Sequence, residues 1–208
     1  MQPGAVAPDP DRTFIETARR AQIAAAAIDV IAEVGYPEAS FARIAARLGI
    51  SRGLISYHFA GKDDLIKQVV REAAEQAKGY IRPRILAEAP GPGMLRAYIE
   101  SNLAFMRDHR NNVIAMVEIA RSADGRRLYY GDTDVIDAVG ALEQLLSGLQ
   151  TADQLGRDFD PRVMAIAIRA AIEAASPRLA RDPAFDIDNY AREIVTVFDR
   201  ATRVEGGP

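Results

Sequence analysis

The chain has 208 residues, 49% hydrophobic and 26% charged, a composition typical of a folded globular protein rather than a fibrous or disordered one. It contains no cysteine, which excludes a disulfide scaffold, a thiolate metal site and a cysteine nucleophile. The net charge of −3 argues against a protein that binds nucleic acid over its whole surface.

The apolar spacing in residues 13–34 predicts a first helix, which Gly35 ends as a C-cap. Ser40 then predicts the N-cap of a second helix about two turns long, which Gly49 stops. The apolar stripe of this second helix consists of Phe41, Ile44, Ala45 and Leu48.

Ser51 is the expected N-cap of a third short helix that carries Leu54, Ile55 and Phe59. Gly61 precedes a fourth helix, with acidic residues in its first turn where carboxylates suit the helix dipole. We expect this fourth helix to run to about Gly79.

Beyond a Pro- and Gly-rich segment at residues 89–93, the helical pattern returns, and strand alternation is not convincing anywhere. Turn residues at Asp124-Gly125 and Ser176-Pro177 predict breaks. The further predicted helices are Met94–Arg110, Val113–Ser122, Val135–Leu155, Arg162–Ala175 and Asp188–Arg203. The expected fold class is all-α.

Residues 39–62, called here the basic segment, contain four basic residues and no Asp or Glu, whereas acidic residues outnumber basic ones after residue 62. The basic residues are Arg43, Arg47, Arg52 and Lys62. Helices of two turns are stable only when they pack on each other. In this segment, that packing leaves hydrogen-bond donors, small residues and an aromatic ring on the exposed surface. Such a helix-turn-helix surface suits the major groove of DNA, although a solvated helical domain is an alternative.

Residues 20–66 read RAQIAAAAIDVIAEVGYPEASFARIAARLGISRGLISYHFAGKDDLI and resemble the amino-terminal signature of the TetR family of bacterial transcriptional regulators. The features that carry the resemblance are Ile23, Ala26-Ala27, Gly35-Tyr36, Ser40, Ile44-Ala45, Leu48-Gly49-Ile50-Ser51, Tyr57-His58-Phe59, Lys62 and Leu65. They cover roughly a quarter of the chain; the remainder resembles the family only in length and helical character.

The resemblance, together with the basic segment, predicts a set of DNA-binding residues: Ser40, Arg43, Ser51, Arg52, Gly53, Leu54, Ser56, Tyr57, His58 and Lys62. Arg52, Gly53 and Ser56 match positions that reach base edges, and Tyr57 and His58 match positions that contact phosphate. Relatives commonly have Tyr where this chain has Ser56, so their base preference does not transfer to it.

The resemblance also implies a domain plan. The expected parts are a disordered tail at 1–12, a helix-turn-helix domain at 13–62, a helical effector-binding and dimerisation domain at 63–204 with a connecting helix at 63–79, and a tail at 205–208. Dimerisation is expected through helices at 162–175 and 189–201. Candidate effector contacts are Tyr98, Asn102, Phe105, Met106, Met116 and Glu118, although such stripes are more often core.

These observations predict a DNA-binding transcriptional regulator, a repressor by analogy, that binds a palindromic operator as a homodimer and is released by a small-molecule effector. We expect no catalytic residue, metal or cofactor, since His58 and His109 lack the spacing of a metal-binding pair. The absence of a signal-peptide or membrane-span pattern predicts a cytoplasmic protein with no membrane partner. The alternatives are a ligand-sensing or scaffolding dimer that does not bind DNA, and an all-α enzyme.

Overall fold

The computed structural model describes residues 10–131 and 137–204, and the regular structure of these two ranges is entirely helical. This confirms the predicted all-α class with an amino-terminal helix-turn-helix. The helices are α1 (Pro10–Val34), α2 (Phe41–Leu48), α3 (Arg52–His58), α4 (Lys62–Leu86), α5 (Pro92–Asp108), α6 (Arg110–Arg121), α7 (Ala123–Gly131), α8 (Ala138–Thr151), α9 (Pro161–Glu173), α10 (Ser176–Arg181) and α11 (Ile187–Ala201). None of the described helices has the length and apolarity that crossing a membrane requires.

Local capping fixes the two short helices α2 and α3 where the sequence predicts them. The Ser40 hydroxyl accepts a hydrogen bond from the Arg43 N–H, and the Ser51 hydroxyl accepts one from the Leu54 N–H at 3.2 Å. Gly49 ends α2 with φ at 65°, a left-handed conformation that a residue without Cβ adopts without strain. The cap predictions are confirmed.

Helices α1 and α4 extend beyond their predicted bounds. The first begins at Pro10, so residues 10–12 are helical rather than part of a disordered tail, and Pro is well suited to a first helical position. Helix α4 continues past Gly79 to Leu86, with Pro83 in its last turns. Packing of its carboxyl-terminal half on α5 outweighs the backbone hydrogen bond that this proline removes. The remaining tails, residues 1–9 and 205–208, lie outside the described residues.

Two short helices, α7 and α10, occupy segments predicted as breaks. In α7, the Ser122 hydroxyl accepts a hydrogen bond of 2.9 Å from the Gly125 N–H, so the expected turn caps a new helix. In α10, Pro177 lies in the first turn, where its missing N–H removes no helical bond. The predicted start of the next helix at Val135 lies outside the described residues, and α8 is seen from Ala138.

The described residues form two apolar cores that share helix α6. The first core combines α1 to α4 with Ala115 and Ile119 of α6 and Leu128 of α7. The second combines α5 and α8 to α11 with Val113 and, at its edge, Val117 of α6. Opposite sides of one helix therefore belong to different cores.

Polar contacts fix α6 against the first core. The Asn111 side-chain amide donates to Asp29 of α1 at 2.8 Å, and the Asn112 amide donates to Gln76 of α4 at 2.8 Å. Asn112 is buried, and a buried amide is stable only when it is hydrogen-bonded. These contacts hold α6 between the helix-turn-helix and the rest of the molecule.

Candidate nucleic-acid interface

Helix α3 is anchored on one side and exposed on the other. Ile55 is fully buried in the first core, whereas Arg52, Gly53, Ser56 and Tyr57 are exposed. Tyr57 keeps 66% of its surface exposed, which is high for a large aromatic side chain. The exposed side combines a guanidinium, a hydroxyl, a phenol and a backbone without Cβ, and it carries no carboxylate. This arrangement can donate to base edges and phosphates of a DNA duplex.

Arg20 of α1 holds the end of α3 against the start of α4. Its guanidinium forms an ion pair of 3.0 Å with Asp64, donates to the His58 carbonyl oxygen and lies 4.2 Å from the centroid of the Phe59 ring. Asp64 also accepts a hydrogen bond from the Ala60 N–H at 3.1 Å. Partial burial raises the pKa of Asp64, but the hydrogen bonds from Arg20 and Ala60 outweigh it and leave the pKa below its usual value.

Lys62, one of the predicted DNA-binding residues, is half-buried at the first turn of α4. Its ammonium donates to the carbonyl oxygens of Tyr36 and Pro37 at 2.7 and 3.3 Å and lies 4.3 Å from the centroid of the Tyr36 ring. Burial lowers the pKa of Lys62, against the charges of Glu38 and Asp124. The structure therefore places this cation on the turn after α1, with one of its three N–H donors left for another acceptor.

The other arginines of the basic segment differ in their partners. Arg47 forms an ion pair with Glu33 of α1, and the hydrogen bond from Arg47 lowers the pKa of Glu33. Arg43 lies 4.0 Å from Glu38, and both of these side chains are largely exposed. Acidic residues just outside the basic segment therefore partly neutralise it, which leaves Arg52 as the arginine on the exposed side of α3.

Four further predicted residues support this surface. Ser40 and Ser51 are exposed caps whose hydroxyls accept from the backbone. Leu54 and His58 are half-buried on the flank of α3, and the rings of Tyr57 and His58 meet edge to face at 5.0 Å. The predicted DNA-binding residues thus lie on α2, on α3, on their flanking turns and at the start of α4, with Arg52, Gly53, Ser56 and Tyr57 at the centre.

The six candidate effector contacts do not share one location. Tyr98 and Asn102 are buried on α5 and face α9. Phe105 stacks on His109 at 4.3 Å, and Met106 lies 3.7 Å from the Ser176 hydroxyl. Met116 packs on the first core, and Glu118 forms an ion pair with Arg121 at 3.6 Å. The helical rotation along α5 and α6 separates these side chains.

Two open cavities among the described residues lie elsewhere. The larger, about 360 Å³, is lined by Ser147, Gln150, Thr151 and Arg157. The other, about 220 Å³, lies between the start of α5 and the end of α11. Neither is lined by a candidate effector contact. Within residues 10–131 and 137–204, no cluster of His, Asp and Glu has the arrangement of a metal site.

Sequence reasoning missed Arg169, which lies in the middle of α9 against Tyr98 and Asn102. Its side chain is only 14% exposed, unusual for arginine. The available signal was its position in the middle of the aliphatic run of residues 163–172, which contains no other charged residue.

Comparison with known proteins identifies the amino-terminal domain. A family model described as "Bacterial regulatory proteins, tetR family" matches residues 23–69, which span the helix-turn-helix from within α1 into α4. This match identifies residues 23–69 as a TetR-type amino-terminal domain. The TetR-type domain therefore contains every predicted DNA-binding residue, from Ser40 to Lys62.

Relatives agree with the TetR-type assignment. The chain is 35% identical over 86 residues to the HTH-type transcriptional regulator BetI of Cronobacter sakazakii. The aligned region covers 40% of this chain and 43% of that protein. The chain thus aligns with less than half the length of this curated relative.

Solved structures resemble the whole fold. A putative TetR-family transcriptional regulator from Rhodococcus sp. has a TM-score of 0.75 at 20% identity and covers 88% of this chain and 98% of its own. The transcriptional regulator FadR of Bacillus subtilis, solved in complex with stearoyl-CoA, has a TM-score of 0.73 at 20% identity and covers 90% and 98%. At this identity the likeness establishes the fold shared with TetR-type proteins.

Proposed function

We propose that this protein is a transcriptional regulator that binds a DNA operator as a homodimer, acts as a repressor and is released by a small-molecule effector. The observation that carries the proposal is the exposed side of α3, which presents Arg52, Gly53, Ser56 and Tyr57 on a helix anchored by Ile55. A guanidinium at the start of such a helix can bind guanine O6 and N7 with two hydrogen bonds.

The absence of carboxylates on the described surface of α3 supports DNA rather than protein or ligand binding. A carboxylate beside Arg52 would repel phosphates, and the acidic residues near the basic segment lie instead on α1, on the turn that follows it and in the first turn of α4. Gly53 also lets the backbone of α3 approach a base pair closely, since its Cβ position is open apart from the Ser51 hydroxyl.

A homodimer accounts for exposed apolar side chains on α9 and α11. Val163 and Ile166 of α9 are 64% and 50% exposed, and Val197 of α11 is 56% exposed. Exposed apolar groups on α9 and α11, two helices joined by a hydrogen bond from the Tyr190 hydroxyl to the Ala171 carbonyl oxygen, favour burial against a second copy. A dimer would also present two α3 helices to successive major grooves, which multiplies specificity for a palindromic site.

A small-molecule effector is the regulatory part of the proposal. The similar fold of Bacillus subtilis FadR was solved in complex with stearoyl-CoA, which supports a small-molecule effector for this protein. An effector would release the operator if it bound more tightly to the conformation whose α3 helices are wrongly spaced for DNA. The shared helix α6 offers a physical connection between the second core and the helix-turn-helix.

Selection of bound sequences from a random duplex pool tests the proposal. The purified protein at physiological salt should enrich a palindrome whose half-sites are about one helical turn apart. Recovery of a single asymmetric site would contradict the dimer, and recovery of nothing above background would contradict DNA binding. An Arg52→Ala variant provides the matched control, because it should fail to enrich the same palindrome while remaining folded.

A further inference from the structure

The most unusual polar group in the second core is the guanidinium of Arg169. One of its terminal nitrogens, Nη1, donates to the Asn102 side-chain oxygen at 3.1 Å and to the Tyr98 hydroxyl at 3.4 Å. The other, Nη2, donates to Glu173 at 3.0 Å. Its Nε is inaccessible to solvent and has no acceptor, which is true of no other buried side-chain nitrogen or oxygen in the described parts of the chain.

Only one carboxylate pairs with this guanidinium. Two of its three acceptors are neutral, and the third, Glu173, has a side chain that is 64% exposed and therefore well solvated. A buried cation is costly unless it is fully hydrogen-bonded and paired with an opposite charge. The surrounding residues Ile168 and Ile172 are fully buried, so an aliphatic residue would fit this part of α9 better than arginine.

The unsatisfied donor has a defined direction. The Nε–H and one Nη2–H lie on the same edge of a guanidinium and together form the fork that binds the two oxygens of a carboxylate. Glu173 accepts a hydrogen bond from Nη2, whereas the Nε–H has no acceptor. The edge of Arg169 that carries Nε–H therefore lacks a complete two-bond contact to a carboxylate.

From this geometry we infer that Arg169, Tyr98 and Asn102 form a recognition site for the carboxylate of the effector, which displaces Glu173 and takes both Nε–H and Nη2–H. This inference rests on the proposed function, because it names the chemical class of the effector. One guanidinium suits a single negative charge, and the two arginines of α5, Arg96 and Arg107, already pair with Asp199 and Asp188. The apolar surroundings favour an otherwise apolar molecule.

Matched acid and amide pairs test the inference directly. Sodium octanoate and octanamide, or sodium benzoate and benzamide, are titrated into the full chain at constant ionic strength, and binding is followed by calorimetry and by the thermal midpoint. We expect each acid to bind saturably and at least about tenfold more tightly than its amide, as a charge-assisted fork implies. Equal binding of acid and amide, or no binding of either acid, would overturn the inference.

Variants assign the preference to the site. Arg169→Gln should remove the preference for the acid, and Glu173→Gln should raise the affinity for the acid several-fold because it removes the competing charge. Glu143→Gln is the matched control, since Glu143 also pairs with an arginine of α9, Arg162, about two turns away. If Arg169→Gln does not fold, the Glu173→Gln and Tyr98→Phe variants test the inference in its place. An affinity for the acid that is unchanged in both of these variants would overturn the inference.

Two further outcomes separate the inference from the proposed function. If the protein selects a palindromic operator but shows no Arg169-dependent acid preference, only the carboxylate site is overturned. If it shows that preference but selects no DNA, the site stands and the proposed function fails. A change in dimer dissociation in Arg169→Gln, without acid binding to the unaltered chain, would make Arg169 a contact to the second copy and overturn the inference.

Discussion

The ammonium of Lys62 donates a hydrogen bond of 2.7 Å to the carbonyl oxygen of Tyr36 and lies above the ring of the same residue. One side chain thereby ties the start of α4 to the turn after α1. We expect Lys62→Met to lower the free energy of unfolding by about 1 kcal/mol, because the variant loses a partly buried hydrogen bond to the Tyr36 carbonyl oxygen. Chemical denaturation measures this change, and unchanged stability would contradict the anchoring role.

The same Lys62→Met variant also reports on phosphate contact. The ammonium has one N–H left for a phosphate, so the slope of log affinity against log salt should fall by no more than about one unit. Operator binding at several salt concentrations provides the measurement. A larger fall would mean that Lys62 leaves the Tyr36 carbonyl when DNA binds.

Arg52→Ala should weaken operator binding about tenfold or more while leaving the thermal midpoint unchanged, because the side chain is exposed and is predicted to contact a base edge. Arg157→Ala is the control, since Arg157 is an exposed arginine after α8 that pairs with Asp153. Equal affinities of the two variants for the operator would count against α3 as the reading helix.

Ile166→Asp and Val197→Asp should each shift the protein from dimer to monomer at micromolar concentration, because each places a carboxylate in the proposed apolar contact. Light scattering coupled to size exclusion gives the mass. Leu86→Asp introduces the same charge at an apolar side chain that is 63% exposed at the end of α4, and this variant should remain dimeric. Dissociation of all three variants alike would point to a general effect of added charge.

The pairing of Asp64 with Arg20 predicts a pH dependence of stability. The folded state holds the pKa of Asp64 below its usual value, so the carboxylate contributes stability above the unfolded pKa of about 3.9, and this contribution is lost as pH falls through the lower folded pKa. Asp64→Asn should therefore be less stable than the unaltered chain at pH 7, with the difference shrinking below about pH 4. A difference that stayed constant from pH 7 to pH 3 would contradict the ion pair.

Gly49→Ala should destabilise the protein by about 1 kcal/mol, because φ at this position is 65° and a left-handed conformation is unfavourable for residues with Cβ. The space around Gly49 is open, so the effect is one of backbone conformation alone. Gly148→Ala is the matched control within α8, where the surroundings are equally open. That variant should be neutral or more stable, because alanine favours a helix interior.

The parts of the fold that depend on neighbouring residues followed from the sequence, and those that depend on distant packing did not. The caps Ser40, Gly49 and Ser51 act within three or four residues, and the structure has them as predicted. Helix α4 passes Gly79 because α5 packs against its second half, a contact that local propensity does not contain. The caps were thus predictable, whereas the length of α4 was not.

The candidate sites divide in the same way. The apolar periodicity of α3 determines which of its sides is exposed, so the exposure of Arg52 and Tyr57 could be predicted from the sequence. The environment of Arg169 depends on Tyr98, which lies 71 residues away in the chain. The partner of Lys62 likewise lies 26 residues away, so sequence alone could not show that its ammonium is bound by the Tyr36 carbonyl.

The position of α6 limits how this protein can be recombined with its relatives. Ala115 and Ile119 complete the hydrophobic interior of a domain whose recognisable sequence ends at residue 69. A chimera that took only the first 69 residues from a relative would leave those two side chains against a foreign surface, while the displaced segment would lose part of its interior. The amino-terminal domain therefore cannot be exchanged by itself. A stable chimera would also need the residues of α6 that pack against that domain.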